Sequence, residues 1–309
     1  MAVSAPQVET VPRRNALGLS TFVLASPFTD SDAIAFEYVR TLGYDVIEVC
    51  VEDPALLSAA FLQEQAAASG LAVGICGAFG PDRDLSHEDE FRRRSGIDYV
   101  KHCVDLAEAV GSPHVAGPMY SATGKTRMLT PTQRSDQRQW AAESIREVAD
   151  YAGERGVALA IEPLNRFETD LVNTTEQALE LLSLIGRDNV GLLIDTFHMN
   201  IEEANPAAAI RLAGDKIGYF HIGESNRGYL GDGVIDFDRI FDALLDIGYE
   251  RDITFESFSS AVVDEGLSLA CAIWRDTWTD NMPVARHAKA FIDLKMQEAV
   301  RRRATNARP

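Results

Sequence analysis

Four residues in the C-terminal half of the chain carry side chains able to hold a cation and to move a proton: Glu162, Asp195, His221 and Glu256. Each closes a short apolar run, VALAIE (157–162), VGLLID (190–195), IGYFH (217–221) and DITFE (252–256). A lone acid or histidine at such a point is usually a helix cap or a solvated loop residue. Four in succession are hard to ascribe to coincidence if the runs are neighbouring strands whose ends share one rim. Three carboxylates and an imidazole brought together would repel one another, so the set is expected to hold a divalent cation. No thiolate is among the donors, which suits Mn²⁺ first, with Mg²⁺ or Co²⁺ as alternatives, better than structural zinc. The imidazole argues against Ca²⁺.

A second layer follows at short spacing. Glu168 lies six residues after Glu162, His198 three after Asp195, and Arg227 six after His221. These positions fall in the loops just past the strand ends, where binding residues concentrate. Glu168 alone would read as a capping residue, but as a group the three suit contacts to substrate hydroxyl and carbonyl oxygens. His87, His102, His114 and His287 have no partner at ligand spacing and read as surface or core residues. Trp274 and Arg275 could reach the mouth, yet an aromatic in a terminal helix is more often packing. The loop GYLGDG (228–233) lacks GK[ST] and is not read as a phosphate cradle.

The elements that must position these groups are legible. Four further apolar runs, ALGLST (16–21), YDVIEVC (44–50), LAVGIC (71–76) and PHVAG (113–117), bring the total to eight. Helical periodicity separates most of them, in SDAIAFEYVRTL (31–42), DPALLSAAFLQEQAAAS (53–69), GIDYVKHCVDLAEAV (96–110), SDQRQWAAESIREVADYAGERG (135–156), TTEQALELLSLI (174–185), NPAAAIRLAG (205–214) and DFDRIFDALLDIG (236–248). Alternating strands and helices imply parallel pairing through right-handed crossovers, and eight buried strands over this length predict a (β/α)8 TIM barrel. No GxGxxG follows the first strand, which removes the usual mark of a dinucleotide-binding sheet. The expected organisation is an N-terminal extension over 1–15, one barrel domain over 16–298 and a flexible C-terminal tail over 299–309.

Composition narrows the partners. With 46% hydrophobic and 25% charged residues the chain can bury a large core, and its net charge of −18 excludes a nucleic-acid backbone as a natural partner. The four cysteines, Cys50, Cys76, Cys103 and Cys271, form no CxxC and read as buried thiols of a reducing compartment. Arg13-Arg14 before NALGLSTFVLA superficially resembles a twin-arginine export signal, but no cleavage site follows and GLSTFVL serves better as a first strand. No apolar stretch is long enough for a membrane span. A cytoplasmic protein is expected.

The segments EPLNRFET, DTFHMNIEE, FHIGESNRGYLGDG and ITFESF resemble the D-tagatose/D-psicose (D-allulose) 3-epimerase family, ketose 3-epimerases built on a xylose-isomerase-like TIM barrel. The resemblance runs from about residue 16 to residue 295. It implies that Glu162, Asp195, His221 and Glu256 are metal ligands, that Glu162 and Glu256 are also the catalytic acid and base, and that Glu168, His198 and Arg227 hold the C1 and C2 oxygens of the sugar. It further implies a homodimer or homotetramer. The C3 proton of a ketose is α to the C2 carbonyl, and a cation on the C2 and C3 oxygens would stabilise the enediolate left when that proton departs. Inversion needs a carboxylate on each face, one taking a proton and one giving it. Family members often carry a Trp in the loop after the first strand, where this chain has Leu24, and GPMYSATGKTR (117–127) belongs to a variable part of the pocket. The preferred ketose is therefore left open. An aldose–ketose isomerase, or an enzyme eliminating a group from a 3-keto sugar, would use the same scaffold. A metal-dependent endonuclease would want more than six histidines and a basic groove, and a non-catalytic binding barrel would not need the second layer.

Overall fold

A computed structural model describes residues 15–306. All eight expected strands form: β1 Leu17–Ser20, β2 Val46–Val51, β3 Ala72–Gly77, β4 His114–Gly117, β5 Ala158–Ile161, β6 Val190–Asp195, β7 Ile217–Ile222 and β8 Ile253–Phe255. They pair in parallel in sequence order, and β1 against β8, with Leu17 opposite Ile253, closes the barrel. The helices are α1 Ile34–Leu42, α2 Ala59–Ser69, α3 Glu90–Val110, α4 Pro131–Gly153, α5 Thr175–Ile185, α6 Thr196–Glu202, α7 Pro206–Ala213, α8 Phe237–Asp246, α9 Glu265–Ala270 and α10 Asn281–Asn306.

Strand periodicity divides the core in two. Leu192 and Ile194 of β6, Phe220 and Ile222 of β7, and Ile253 and Phe255 of β8 belong to the large layer between sheet and helices. The alternate residues enter the lumen, where Cys50, Cys76, Ala116, Ala160, Leu193 and Tyr219 pack together. Two residues further along β5, β6 and β7 the same parity delivers Glu162, Asp195 and His221 to the mouth.

Several boundaries differ from the sequence reading, each for a local reason. α3 begins at Glu90 on the Asp89 cap, six residues before Gly96. Gly96 looked like a helix start but is a close approach, since a Cβ there would lie 2.4 Å from Leu85 Cδ1. α4 begins at Pro131, because Thr130 and Gln133 form a capping box. The tail expected to fray after 298 is helical to Asn306. Ala299 is fully buried, and the Arg302 guanidinium donates to Asp238 and Asp242 of α8, so a basic run that looked solvated is tied to the barrel wall. Of the expected N-terminal extension only Asn15 is described, and its side-chain amide donates to the carbonyls of Tyr249 and Arg251. Arg13-Arg14 lies outside the described residues. Among the described residues no helix is long and apolar enough to cross a membrane. All four cysteines are free thiols, three of them buried.

Thr254 of β8 reaches across to β1 and fills the space that a side chain on Gly18 would need, with 2.2 Å between a Cβ there and Thr254 Oγ1. Gly18→Ala is expected to lower stability by about 1–3 kcal/mol through overpacking. In a Thr254→Ala background, which removes the hydroxyl but leaves Cβ at 3.1 Å, the same change should do less harm, as urea unfolding of the four variants will read.

Candidate active site

The C-terminal strand ends bring all four first-layer residues together. One ligand atom from each of Glu162, Asp195, His221 and Glu256 lies within 4.8 Å of every other, and all four residues are buried. Asp195 and His221 are register partners on β6 and β7. Glu162 and Glu256 sit one position beyond their strands, held by Glu162 N donating to Gly117 O and Glu256 N to Ile222 O. Asp195 also caps α6, its Oδ1 accepting from Phe197 N at 2.9 Å, which places the carboxylate on a helix N-terminus.

The donor set fits a divalent cation. His221 Nδ1 is buried, without a hydrogen-bond partner, and 3.5 Å from Glu256 Oε1. An oxygen-ligated ion with bonds of about 2.1 Å spans about 4.2 Å between opposite donors, close to the spread seen here. Three carboxylates with one imidazole form an acidic cluster able to hold such an ion.

The second layer converges on the same space. Arg227 Nη1 donates to Asp195 Oδ2 at 3.1 Å and to Glu256 Oε2 at 2.9 Å. Its guanidinium lies between the rings of Phe197 and Phe258, 3.7 and 4.6 Å from their centroids. Arg227 adopts a left-handed backbone at φ 56°, fixed by its N–H on Glu224 O and by Ser257 Oγ donating to its carbonyl. The GYLGDG loop is no phosphate cradle, because the N–H groups of Gly228, Gly231 and Asp232 are already taken by Asn226 Oδ1, the buried Glu224 carboxylate and Tyr229 O.

Asn165 was not singled out from the sequence, yet it organises this layer. Its backbone N–H donates to His198 Nδ1 at 3.1 Å, and its side-chain amide donates to Glu168 Oε1 at 2.6 Å. Accepting at Nδ1 puts the His198 proton on Nε2, which faces Glu162 Oε1 at 3.6 Å and Asp195 Oδ2 at 3.7 Å. Its signal was the NRFE segment itself, where an Asn between a ligand and a second acid has a structural task. Glu48, midway along β2, was also missed; its Oε2 lies 2.7 Å from His221 Nε2.

Burial, with the Glu256 carboxylate beside it, pushes Glu162 well above the usual carboxylate range, and burial raises Glu256 against the pull of His221 and Arg227. Burial, then the Arg227 and His221 charges, keeps His198 neutral. For Arg227 burial acts against the charge, but Asp195 and Glu256 outweigh it and hold the guanidinium protonated.

Above these groups opens a cavity of ≈ 690 Å³, its outer wall largely apolar with Phe22, Phe79, Leu164, Phe258 and Leu267. Phe22 supplies the β1 loop's contribution; Leu24, where a Trp was the family expectation, packs half-buried against the outer core. Pro118, Thr123 and Gly124 bring the GPMYSATGKTR segment into the wall. Lys125 turns away to Asp84 Oδ2 and Ser86 Oγ, each at 2.6 Å. Of the other histidines, His114 is buried against Tyr219, His287 lies on the surface with its ring against Tyr229 and Phe291, and His87 caps a turn, none of them at the mouth. Trp274 is not helix packing; it lies in the turn between α9 and α10 and is 69% exposed.

A closed parallel barrel with an acid-lined mouth defines a class, and comparisons narrow it. The family model described as a xylose isomerase-like TIM barrel matches residues 36–282. An L-ribulose 3-epimerase of Mesorhizobium japonicum is 42% identical over 287 residues, 93% of this chain and 96% of that protein. A solved L-ribulose 3-epimerase structure superposes with a TM-score of 0.90 at 42% identity, covering 95% of this chain and 98% of the other. A D-allulose 3-epimerase from Methylomonas sp., solved in complex with D-allulose, gives 0.86 at 34% identity, covering 92% and 98%. The chain belongs to the ketose 3-epimerase family of xylose-isomerase-like barrels. It is an enzyme, an isomerase of the carbohydrate epimerase class.

Burial raises Glu168 from 4.5 to about 7, against Arg227 and Asn165. The unfolded chain releases this proton near pH 4.5 and the native state near 7, so native stability attributable to Glu168 is full at low pH and falls as pH rises through that window. Glu168→Gln removes the dependence. In EDTA-treated protein the stability of the variant relative to wild type should rise between pH 5 and 8 by about 1–3 kcal/mol, read by urea unfolding.

Proposed function

We propose that the protein is a divalent-metal-dependent ketose 3-epimerase that inverts C3 of a free, unphosphorylated ketose. The observation that carries this reading is the pair Glu162 and Glu256, two buried carboxylates on separate strands of one mouth. Two such groups in one cluster favour a state in which one is protonated and the other ionised, which is what a two-base inversion requires. The ionised glutamate takes the C3 proton from one face. The protonated one delivers its own proton to the other face, and the sugar leaves inverted.

The cation, held by Glu162, Asp195, His221 and Glu256, supplies positive charge for the enediolate oxygens when bound. In this reading the Arg227 guanidinium and the His198 Nε2–H hold the C1 and C2 oxygens, with Glu168 accepting from a hydroxyl; their convergence on the cluster supports it. The outer wall is mostly apolar, with Glu52, Asp82, Arg83 and Asp264 as the polar groups left for the distal hydroxyls. A free sugar is favoured because Lys125 is engaged by Asp84 and Ser86. The relatives act, by their names, on L-ribulose and D-allulose, and we take a ketose of that kind as the substrate. We take the homodimer or homotetramer that the family resemblance implies, and the free thiols support a cytoplasmic location.

Incubation with a panel of ketoses in D₂O, followed by NMR, separates the reactions. Deuterium at C3 with inversion supports epimerisation; label at C1 or C2 would instead favour the aldose–ketose isomerase, and loss of a group the 3-keto-sugar lyase. Glu162→Gln and Glu256→Gln should each reduce C3 exchange by about 10²–10⁴-fold with the fold intact by circular dichroism. Near-wild-type exchange in either variant would sink the two-base mechanism. EDTA should abolish activity and Mn²⁺ restore it; full activity in protein shown metal-free by elemental analysis would overturn the metal assignment.

A further inference from the structure

Glu48 is fully buried in the lumen of the barrel, does not line the cavity and cannot touch a sugar. On β4 and β5 the same lumen is filled by Ala116 and Ala160. A carboxylate in such a place is costly to desolvate unless it is paired, so packing alone does not account for it. Its partner is His221, with Oε2 2.7 Å from Nε2, while the other ring nitrogen, Nδ1, has no hydrogen-bond partner and faces the ligand cluster.

We propose that Glu48 is a positioning residue for the cation site, holding His221 in the tautomer and ring orientation that leave the Nδ1 lone pair free to ligate. This rests on the metal reading given above. His221 lies between two carboxylates, Glu48 at Nε2 and Glu256 3.5 Å from Nδ1, and a neutral imidazole can give its one proton to either. A proton on Nδ1 would be held by Glu256 and would block the ligand atom. Glu48 claims it at Nε2, and the resulting carboxylate–histidine pair also makes Nδ1 a stronger donor.

The surroundings fix both partners. Tyr219 lies edge-on to the His221 ring at 5.2 Å between centroids, and its hydroxyl is engaged with Thr254 Oγ1 at 2.6 Å. Gly74 of β3 stands beside this group, where a Cβ would lie 3.7 Å from Glu48 Cα and 3.6 Å from the Tyr219 hydroxyl. Cys50 Sγ closes the other side, 4.0 Å from Glu48 Oε1. Glu48 is thus held from below by the lumen and presents one oxygen upward.

The test is isothermal titration of EDTA-stripped protein with Mn²⁺, comparing wild type, Glu48→Gln, His221→Gln and the double variant. Glu48→Gln should weaken Mn²⁺ binding by about 10–100-fold while thermal unfolding stays cooperative. In the His221→Gln background the same change should alter affinity by less than about threefold, because the residue acts through the imidazole. Glu48→Asp, which keeps the charge but withdraws it from Nε2, should weaken binding too and serves if the Gln variant fails to fold. Wild-type affinity in these variants, or an undiminished loss when His221 is already gone, would overturn the proposal. Absence of Mn²⁺ binding by the wild type would overturn the metal reading itself, whereas wild-type binding with unaffected Glu48 variants sinks only the positioning role.

Discussion

Like charges buried within 4.8 Å of one another set the terms for the rest of this molecule. Glu162, Asp195 and Glu256 repel, and burial strips away the water that would screen them. Compensating groups must be built in around them, and the chain supplies them from two directions. Arg227 enters from the loop after β7 and bonds Asp195 and Glu256, while His221 stands between Glu256 and Glu48. Burying each of these groups has a cost of its own, met by the two aromatic rings around the guanidinium and by the buried carboxylate behind the imidazole. The arrangement remains rich in acceptors, which suits it to a further divalent charge and to proton traffic between carboxylates.

The barrel turns that electrostatic problem into a geometric one. Parallel strands with side chains alternating between the lumen and the outer layer carry residues of one parity to the mouth, and the closed order β1 to β8 fixes which ends are neighbours. Small lumen residues, Ala116, Ala160 and Cys50, leave room for Tyr219, Thr254 and Glu48 to form a polar floor. Gly18 is part of this floor, because its missing side chain is where Thr254 fits, and Gly74 lies beside Tyr219 and Glu48.

Loops then convert the centre into a pocket. The turn after β5 folds so that Asn165 joins Glu168 and His198, two groups from different elements, through one residue. The loop after β7 wraps the Glu224 carboxylate and thereby orients Arg227. The segment after β8 lays Leu267 against the cavity, and the apolar wall it completes isolates the polar centre. Position in the loops is therefore determined by buried polar partners, while the outer wall is free to vary in shape.

Much of this was legible in the sequence. Continuous apolar runs reported all eight strands, since a parallel strand buried on both faces leaves no polar alternation to confuse the reading. Glu162, Asp195, His221 and Glu256 stood out because each interrupts such a run at its end. Helix starts at Glu90 and Pro131 and the helical end at Asn306 were misplaced, because capping and the Arg302 contacts depend on side chains that composition does not resolve. Glu48 and Asn165 escaped for a different reason: Glu48 is polar for the sake of His221, far away in the chain, and Asn165 joins His198 across a loop, so that only its short step to Glu168 left a trace in the sequence. The sequence by itself determined the strands, their order and the residue types at the mouth, because these follow from local hydrophobic pattern. Only the tertiary structure decided which acid faces which base, because closing the barrel sets the distances on which charge, tautomer and burial depend.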